Sequence, residues 1–495
     1  MTERSDEADL ADLGYEQKLS RSMSSFTAFA LAFSMVSINT GVISMYKSPF
    51  DELGGSAVLL WLLVLPAVLL LVAVYAHLAG RLPITGYAYQ WSSRLVGPNF
   101  GWFTGWIALI SFFAGTAGTA AGLGAVFAPE IWADPTPHQV QALSIGCTVL
   151  VAIINIIGVR AASRINNIGA SIELVGTVLL GIVLLAGVVF AFKHTQGPAI
   201  LTDTTSLNGN AVGLTSISLA ALLPVYVLLG WEGAADLAEE TQNPRRAAPR
   251  AMFRAVIWSG VIGFAVFALL AMAMPSAPEQ FFAGAENPVF RLVGEQVGGF
   301  ARALLLVVAF ASIFACLIAN MAVATRMTFA LSRDNMLPGS TALQAVGSRT
   351  RAPINAIILV AAIAIGLNLL NEGLVGKIYA MVGLTYYLTY ALTLAAAWIA
   401  HRSGRIPAAG EGVFSLGRWL PAVVALGAAY CVAVIAALTV PEVNNQNAIT
   451  VLVVLGFGFV WWVAVLRRRL RTGTAGPPKV AATPAHAGVP EPALD

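Results

Sequence analysis

The 495-residue chain is 58% hydrophobic and only 11% charged, against roughly 25% charged residues in an ordinary soluble domain. Its apolar residues come in runs of about 20, the helix length that crosses ~30 Å of hydrocarbon. This excludes a soluble globule and predicts an all-α polytopic membrane protein. The formal net charge of +3, spread without a basic patch, argues against a nucleic-acid partner.

Residues 1–23 are polar and acid-rich (Glu3, Asp6, Glu7, Asp9, Asp12) and lack the basic start and cleavage site of a signal peptide. The first apolar run is therefore expected to stay as a spanning helix. Twelve runs are predicted, near 24–47, 57–79, 98–127, 139–158, 168–192, 212–236, 253–274, 300–330, 354–371, 376–400, 419–438 and 447–466. The third and eighth exceed one bilayer and should tilt or project. From Thr472 the chain is rich in Ala, Pro and Gly and reads as a disordered tail, 472–495. Cys147, Cys316 and Cys431 all fall inside apolar runs, far apart and without metal-ligand spacing, so they read as small buried groups. No metal and no cofactor is expected.

With a cytoplasmic N-terminus, 23 of the 28 basic residues fall on the inside, leaving Lys47, Lys193, Arg291, Arg302 and Lys377 outside. The positive-inside rule then places both termini in the cytoplasm of a cell membrane. The Ala-rich, Arg-over-Lys usage hints at a bacterial inner membrane.

A site at membrane depth needs backbone groups freed from helices, most often at matched breaks in two inverted repeats. The first span carries Ser37, Ile38, Asn39, Thr40 and Gly41 in an otherwise apolar run, and the sixth carries Gly230, Trp231, Glu232 and Gly233. Singly, each suits close helix packing. Their separation by five spans, with a carboxylate in the second, favours a binding site. The matching division is 24–192 and 193–400 as two repeats of five spans, with 401–471 supplying two more.

Glu232 leads into Ala234-Ala235-Asp236 and then Glu239-Glu240-Thr241-Gln242-Asn243-Pro244-Arg245-Arg246. This stretch resembles the sixth helix and following segment of the amino acid–polyamine–organocation superfamily. Gly80-Arg81-Leu82-Pro83-Ile84-Thr85-Gly86-Tyr87 and Arg333-Asp334-Asn335-Met336-Leu337-Pro338 are similar to two further signatures of it, with Asn335 where Gly is usual. Gly97-Pro98 before Gly101-Trp102-Phe103-Thr104-Gly105-Trp106 points to its amino acid/choline branch. Asn39-Thr40-Gly41 departs from the commoner Gly-Ser-Gly-Ile-Phe form of the first helix. The resemblance implies a leucine-transporter-type core of five plus five helices, carrying amino acids, γ-aminobutyrate, choline or related amines.

Free amides at the first break suit a carboxylate, and carbonyls near Gly230 suit an ammonium. Trp231 is either a cation–π face or core packing. Glu232 is an intramembrane acid, either a partner for an amine or a proton site, or else locked to nearby backbone. Relatives often carry an acid there. Glu173, in the fifth span, stands where relatives often carry a Lys in place of a sodium ion. It is a candidate proton site or cation contact, or it pairs with Arg160 or Arg164. Ser312, Cys316 and Asn320 recur at i, i+4 and i+8 on one face of the eighth span, positioned to complete a cavity. Without an adjacent Ser/Thr pair, that face favours proton coupling or exchange over sodium. Glu239, Glu240, Arg245 and Arg246 read as a solvated segment, and the Gly115–Gly122 run as close packing. Tyr379, Tyr386, Tyr387 and Tyr390 either line the tenth span or pack.

Gly376-Lys377 lacks the glycine spacing of a phosphate-binding loop, so transport would be secondary, by alternating access, with a proton or counter-substrate as partner. The alternatives are a carrier of choline, polyamine or another organic cation, and a transport-like sensor. A membrane enzyme would need clustered His, Cys or acid residues, which the sequence lacks. Oligomeric state is not indicated.

Overall fold

The computed structural model describes residues 6–284, 286–370, 374–441 and 445–478. Among them, ten helices are long and apolar enough to cross a membrane, and two shorter apolar segments, Leu214–Val227 and Ile354–Leu369, lie where the sixth and ninth spans are expected. The only extended pairing among the described residues is an isolated parallel bridge between Met23 and Thr241.

Local chemistry explains the helix starts. Ser24 caps the first span by accepting from the Thr27 amide at 3.2 Å. Pro98 opens the third, Pro98–Ile131. Thr136 and Gln139 form a reciprocal capping box at the fourth, Pro137–Ile157. Two helices begin well before their apolar runs: the fifth at Val159 and the seventh at Pro244. Hydropathy marks only the part of a helix in hydrocarbon, whereas its hydrogen-bond ladder continues into the interface. A further short helix, Tyr87–Leu95, fills the connection between the second and third spans.

The third span is almost wholly buried and forms the centre of the bundle. The eighth (Gly299–Arg333) and tenth (Leu374–Arg402) pack along it, the seventh (Pro244–Met272) packs on the first and second, and the fifth lies against the eighth. The fifth and twelfth spans expose most of their apolar surface, as lipid-facing helices do. Cys147, Cys316 and Cys431 are free and buried.

The end of the bundle carrying Arg81, Arg245, Arg326 and Arg333, here termed the basic face, is closed by buried polar contacts. The sequence reading of Glu239 and Glu240 as solvated is corrected: both are fully buried. Glu240 receives a two-pronged pairing from Arg326 (Nε 3.0 Å, Nη2 2.9 Å), and Glu239 pairs with Arg333 at 2.9 Å. The eighth span projects far enough to bring both arginines onto the turn that follows the sixth. Arg245 and Arg246 are half-buried, and Arg245 pairs with Asp9 of the helix Asp6–Asp12.

The N-terminal segment straps this face. The Met23 amide donates to the Glu240 carbonyl at 2.8 Å, and the Tyr15 hydroxyl donates to Asp334 at 2.7 Å. Tyr89 and Gln90 also donate to Asp334, at 2.7 and 2.8 Å. Burial and the neighbouring Asp334 push the Tyr15 hydroxyl far above its ordinary range, so it stays a donor. The chain from Thr472, expected to be disordered, is anchored at its start: Asn335 donates to the Thr474 carbonyl and Gly476 to that of Asp334, at 2.8 and 2.9 Å. Residues 479–495 of that tail lie outside the described residues.

A central cavity between two broken helices

The first span is two helices, Ser25–Val36 and Ile38–Met45, joined at Ser37, whose φ of 35° is left-handed. Asn39 and Thr40 are themselves helical, and the break is confined to Ser37, whose hydroxyl bonds the side chains of Thr40, Ser312 and Glu173. The sixth span breaks after Val227 and resumes as the turn Gly233–Asp236. Gly230 makes the second break possible: its φ is +90°, and a Cβ there would lie 2.8 Å from Cβ of Met35. The two breaks are thus pressed together. Gly41 repeats the device from the other side, since a Cβ on it would collide with Cγ2 of Val227.

Between the breaks lies a cavity of about 100 Å³. Ser37, Thr40, Gly41, Gly230, Cys316 and Asn320 of the expected residues line it. Along the first span its lining residues pass from buried Ser37, through half-buried Thr40 and Gly41, to exposed Ser44. The cavity therefore opens away from the basic face. Gly115, Gly118 and Thr119 of the third span, with Tyr226, Val382 and Tyr386, complete the wall. The glycines had read as packing residues. Glycines and Thr119 set three and four apart form one helix face, which is the signal that could have placed them here.

The remaining expected residues form two layers behind this wall. Ser37 is the hub of the first: its Oγ lies 2.6 Å from Oγ1 of Thr40, 2.9 Å from Oγ of Ser312, and donates to Oε1 of Glu173 at 3.2 Å. The Asn39 amide donates to the same Oε1 at 3.3 Å, and the Asn39 side chain to Thr177 at 2.9 Å. Glu173 is fully buried and pairs with neither Arg160 nor Arg164. Its carboxylate instead meets the start of the second half-helix, where unpaired amides concentrate positive potential. The fifth span brings it there by burying Asn166, Gly169, Ala170, Glu173 and Thr177. These recur at i, i+3, i+4, i+7 and i+11, a single face, while the opposite side meets lipid.

The second layer is aromatic. Glu232 is fully buried and accepts from the Tyr390 hydroxyl at 2.8 Å. Trp231 stacks on Tyr390 with ring centroids 5.3 Å apart and meets Tyr75 edge-on at 5.1 Å. Trp231, Glu232 and Gly233 are thus not on the cavity wall, and neither are Ile38, Asn39 or Ser312. Among the described residues no three His, Cys, Asp or Glu side chains gather as a metal would require.

Residues 23–464 match the family described as amino acid permease. The chain belongs to that family. It is a multi-pass membrane transporter, not an enzyme. Similar proteins include the amino-acid permease BAT1 of Arabidopsis thaliana, 25% identical over 83% of each chain. An uncharacterized amino-acid permease of Schizosaccharomyces pombe is 24% identical over 91% of this permease and 85% of the relative. A putative polyamine transporter of Candida albicans is 24% identical over 94% and 88% respectively.

Gly41→Leu is expected to lower uptake by about tenfold or more, because the added side chain must share space with Val227 and the cavity; overpacking of this kind costs roughly 1–3 kcal/mol. Uptake by the purified variant in liposomes measures it, and wild-type rates would move the substrate path elsewhere.

Proposed function

We propose that this permease is a secondary transporter of a small amino acid, bound as a zwitterion, that works by alternating access and is coupled to protons through Glu173. The observation that carries the reading is the cavity wall: among the described residues it holds no charged side chain, and the buried acids Glu173 and Glu232 lie behind it. A zwitterion is neutral overall, and its two ends suit the two breaks. Its carboxylate takes amides at the start of the half-helix Ile38–Met45, and its ammonium takes carbonyls around Val227–Gly230. A bare organic cation would bring a net charge into this space with no opposite charge on the wall, which is costly at membrane depth. The volume of about 100 Å³, small against the roughly 300–1,000 Å³ of common ligand clefts, favours a compact substrate.

The distribution of basic residues supports both termini in the cytoplasm of a cell membrane. The basic face is then inside, and a cavity opening away from it corresponds to the outward-facing state. Residues 24–192 and 193–400 form the two inverted repeats in this reading, since each begins with a broken span and the breaks meet at Met35. Residues 401–471 add two peripheral spans.

Purified protein in liposomes should take up a small labelled amino acid saturably, and faster under an inward proton gradient. Movement of choline or putrescine alone, from a panel also holding γ-aminobutyrate, would overturn the zwitterion. Uptake requiring only preloaded internal substrate would overturn proton coupling in favour of exchange.

A further inference from the structure

On the basic face, away from the central cavity, the start of the seventh span and the connection between the tenth and eleventh spans enclose a cleft of about 510 Å³. One wall carries Arg246, Arg250 and Arg254, which recur every four residues and so project side by side. The opposite wall is the chain 412–414, joined to the first by an edge contact between Phe253 and Phe414 with centroids 5.2 Å apart. This second wall is held in place. Arg81 donates to the carbonyls of Pro407 and Phe414 at 3.0 and 3.1 Å and to Oγ of Ser415 at 2.9 Å. Nδ1 of His77 accepts from the Leu416 amide at 3.1 Å, and Arg246 reaches across to the Glu411 carbonyl at 3.2 Å.

Two of the cleft's arginines, Arg250 and Arg254, carry charge that the described residues do not balance. Arg245 at its edge is matched by Asp9. Among the described residues, Arg250 and Arg254 are exposed without an ion-pair partner, and no acid lines the cleft. Deeper along the same helix, Ile257, Trp258 and Val261 are 44%, 53% and 54% exposed. Trp258 stands one turn below Arg254, and Trp side chains favour the boundary between headgroups and hydrocarbon. Two open guanidinium groups therefore sit directly above a lipid-facing apolar stripe. A soluble anion would use only the guanidinium groups, whereas an anionic phospholipid uses both parts, and basic pockets between spanning helices suit such headgroups.

We propose that this cleft binds the headgroup of an anionic phospholipid, with its phosphodiester between Arg250 and Arg254 and its acyl chains along Ile257, Trp258 and Val261. Guanidinium forks match phosphodiester oxygens in shape as well as charge, and the held 412–414 wall keeps the pocket open for them.

Native mass spectrometry of the full-length protein, stripped of lipid and titrated with phosphatidylglycerol or phosphatidylcholine, tests this. Phosphatidylglycerol should be retained preferentially. The double variant Arg250→Gln, Arg254→Gln should lose about 30-fold in its affinity, roughly fivefold for each arginine near a charged surface. Both side chains are exposed, so the variant should keep its elution volume on size exclusion. Equal retention of the two lipids, or an unchanged phosphatidylglycerol affinity in the double variant, would overturn the proposal. Displacement of the lipid by excess inorganic phosphate would also overturn it, by making the cleft a soluble-anion site.

Discussion

Glu173→Gln should uncouple uptake from the proton gradient, bringing the ratio of rates with and without an inward gradient down to about one while leaving counterflow exchange. The wild-type carboxylate accepts from Ser37 and from the Asn39 amide at the joint of the first span. A negative charge at a half-helix N-terminus contributes up to ~2 kcal/mol, and a hydrogen bond to a charged group about 1.5–3 kcal/mol. Protonation removes most of that, a change comparable to the few kcal/mol that separate two transport states. Glutamine keeps the volume and one acceptor oxygen but cannot change its charge. Exchange in both directions needs no net proton movement, so counterflow distinguishes a coupling defect from a broken site. An unaltered response to the gradient in the variant would remove Glu173 from the coupling mechanism.

The largest loss of stability should come from splitting the pair between Arg326 and Glu240. Their side chains are 1% and 0% exposed, and removing one partner of a buried pair costs about 3–5 kcal/mol because the other charge is left uncompensated. Arg326→Met alone should therefore lower the thermal unfolding midpoint of the detergent-purified protein sharply. The double variant Arg326→Met, Glu240→Leu should recover most of the loss, since an apolar pair of similar volume is often as stable as the ionic one. The pair joins the end of the eighth span to the turn after the sixth, so its loss also loosens the closed basic face. A single variant that melts like wild type would show that the strap of residues 6–23 closes this face without it.

Particular residues show how far the sequence could be read. The ten long spans and the two shorter apolar segments were legible because hydropathy over a helix length is a local property set by the bilayer. That the first and sixth spans break near Ser37 and Gly230 was legible because small and polar residues stand out in an apolar run, although residues 38–41 prove helical. The partners of Glu173, Glu239 and Glu240 were not. Glu173 meets Ser37 across 136 residues, and Glu240 meets Arg326 across 86. Nothing local distinguishes an acid facing solvent at a membrane boundary from one covered by a projecting helix, which is why Glu239 and Glu240 read as solvated. Gly115 and Gly118 read as packing residues for the same reason, since a small-residue face serves a helix contact or a cavity equally well. The sequence by itself thus determined the membrane fold, the family and the two breaks, because those are written in composition and short-range pattern. Which polar groups share the cavity, which lie behind it and which seal the basic face was decided by the tertiary structure, because a polar group buried in the membrane must find its partner wherever packing brings one.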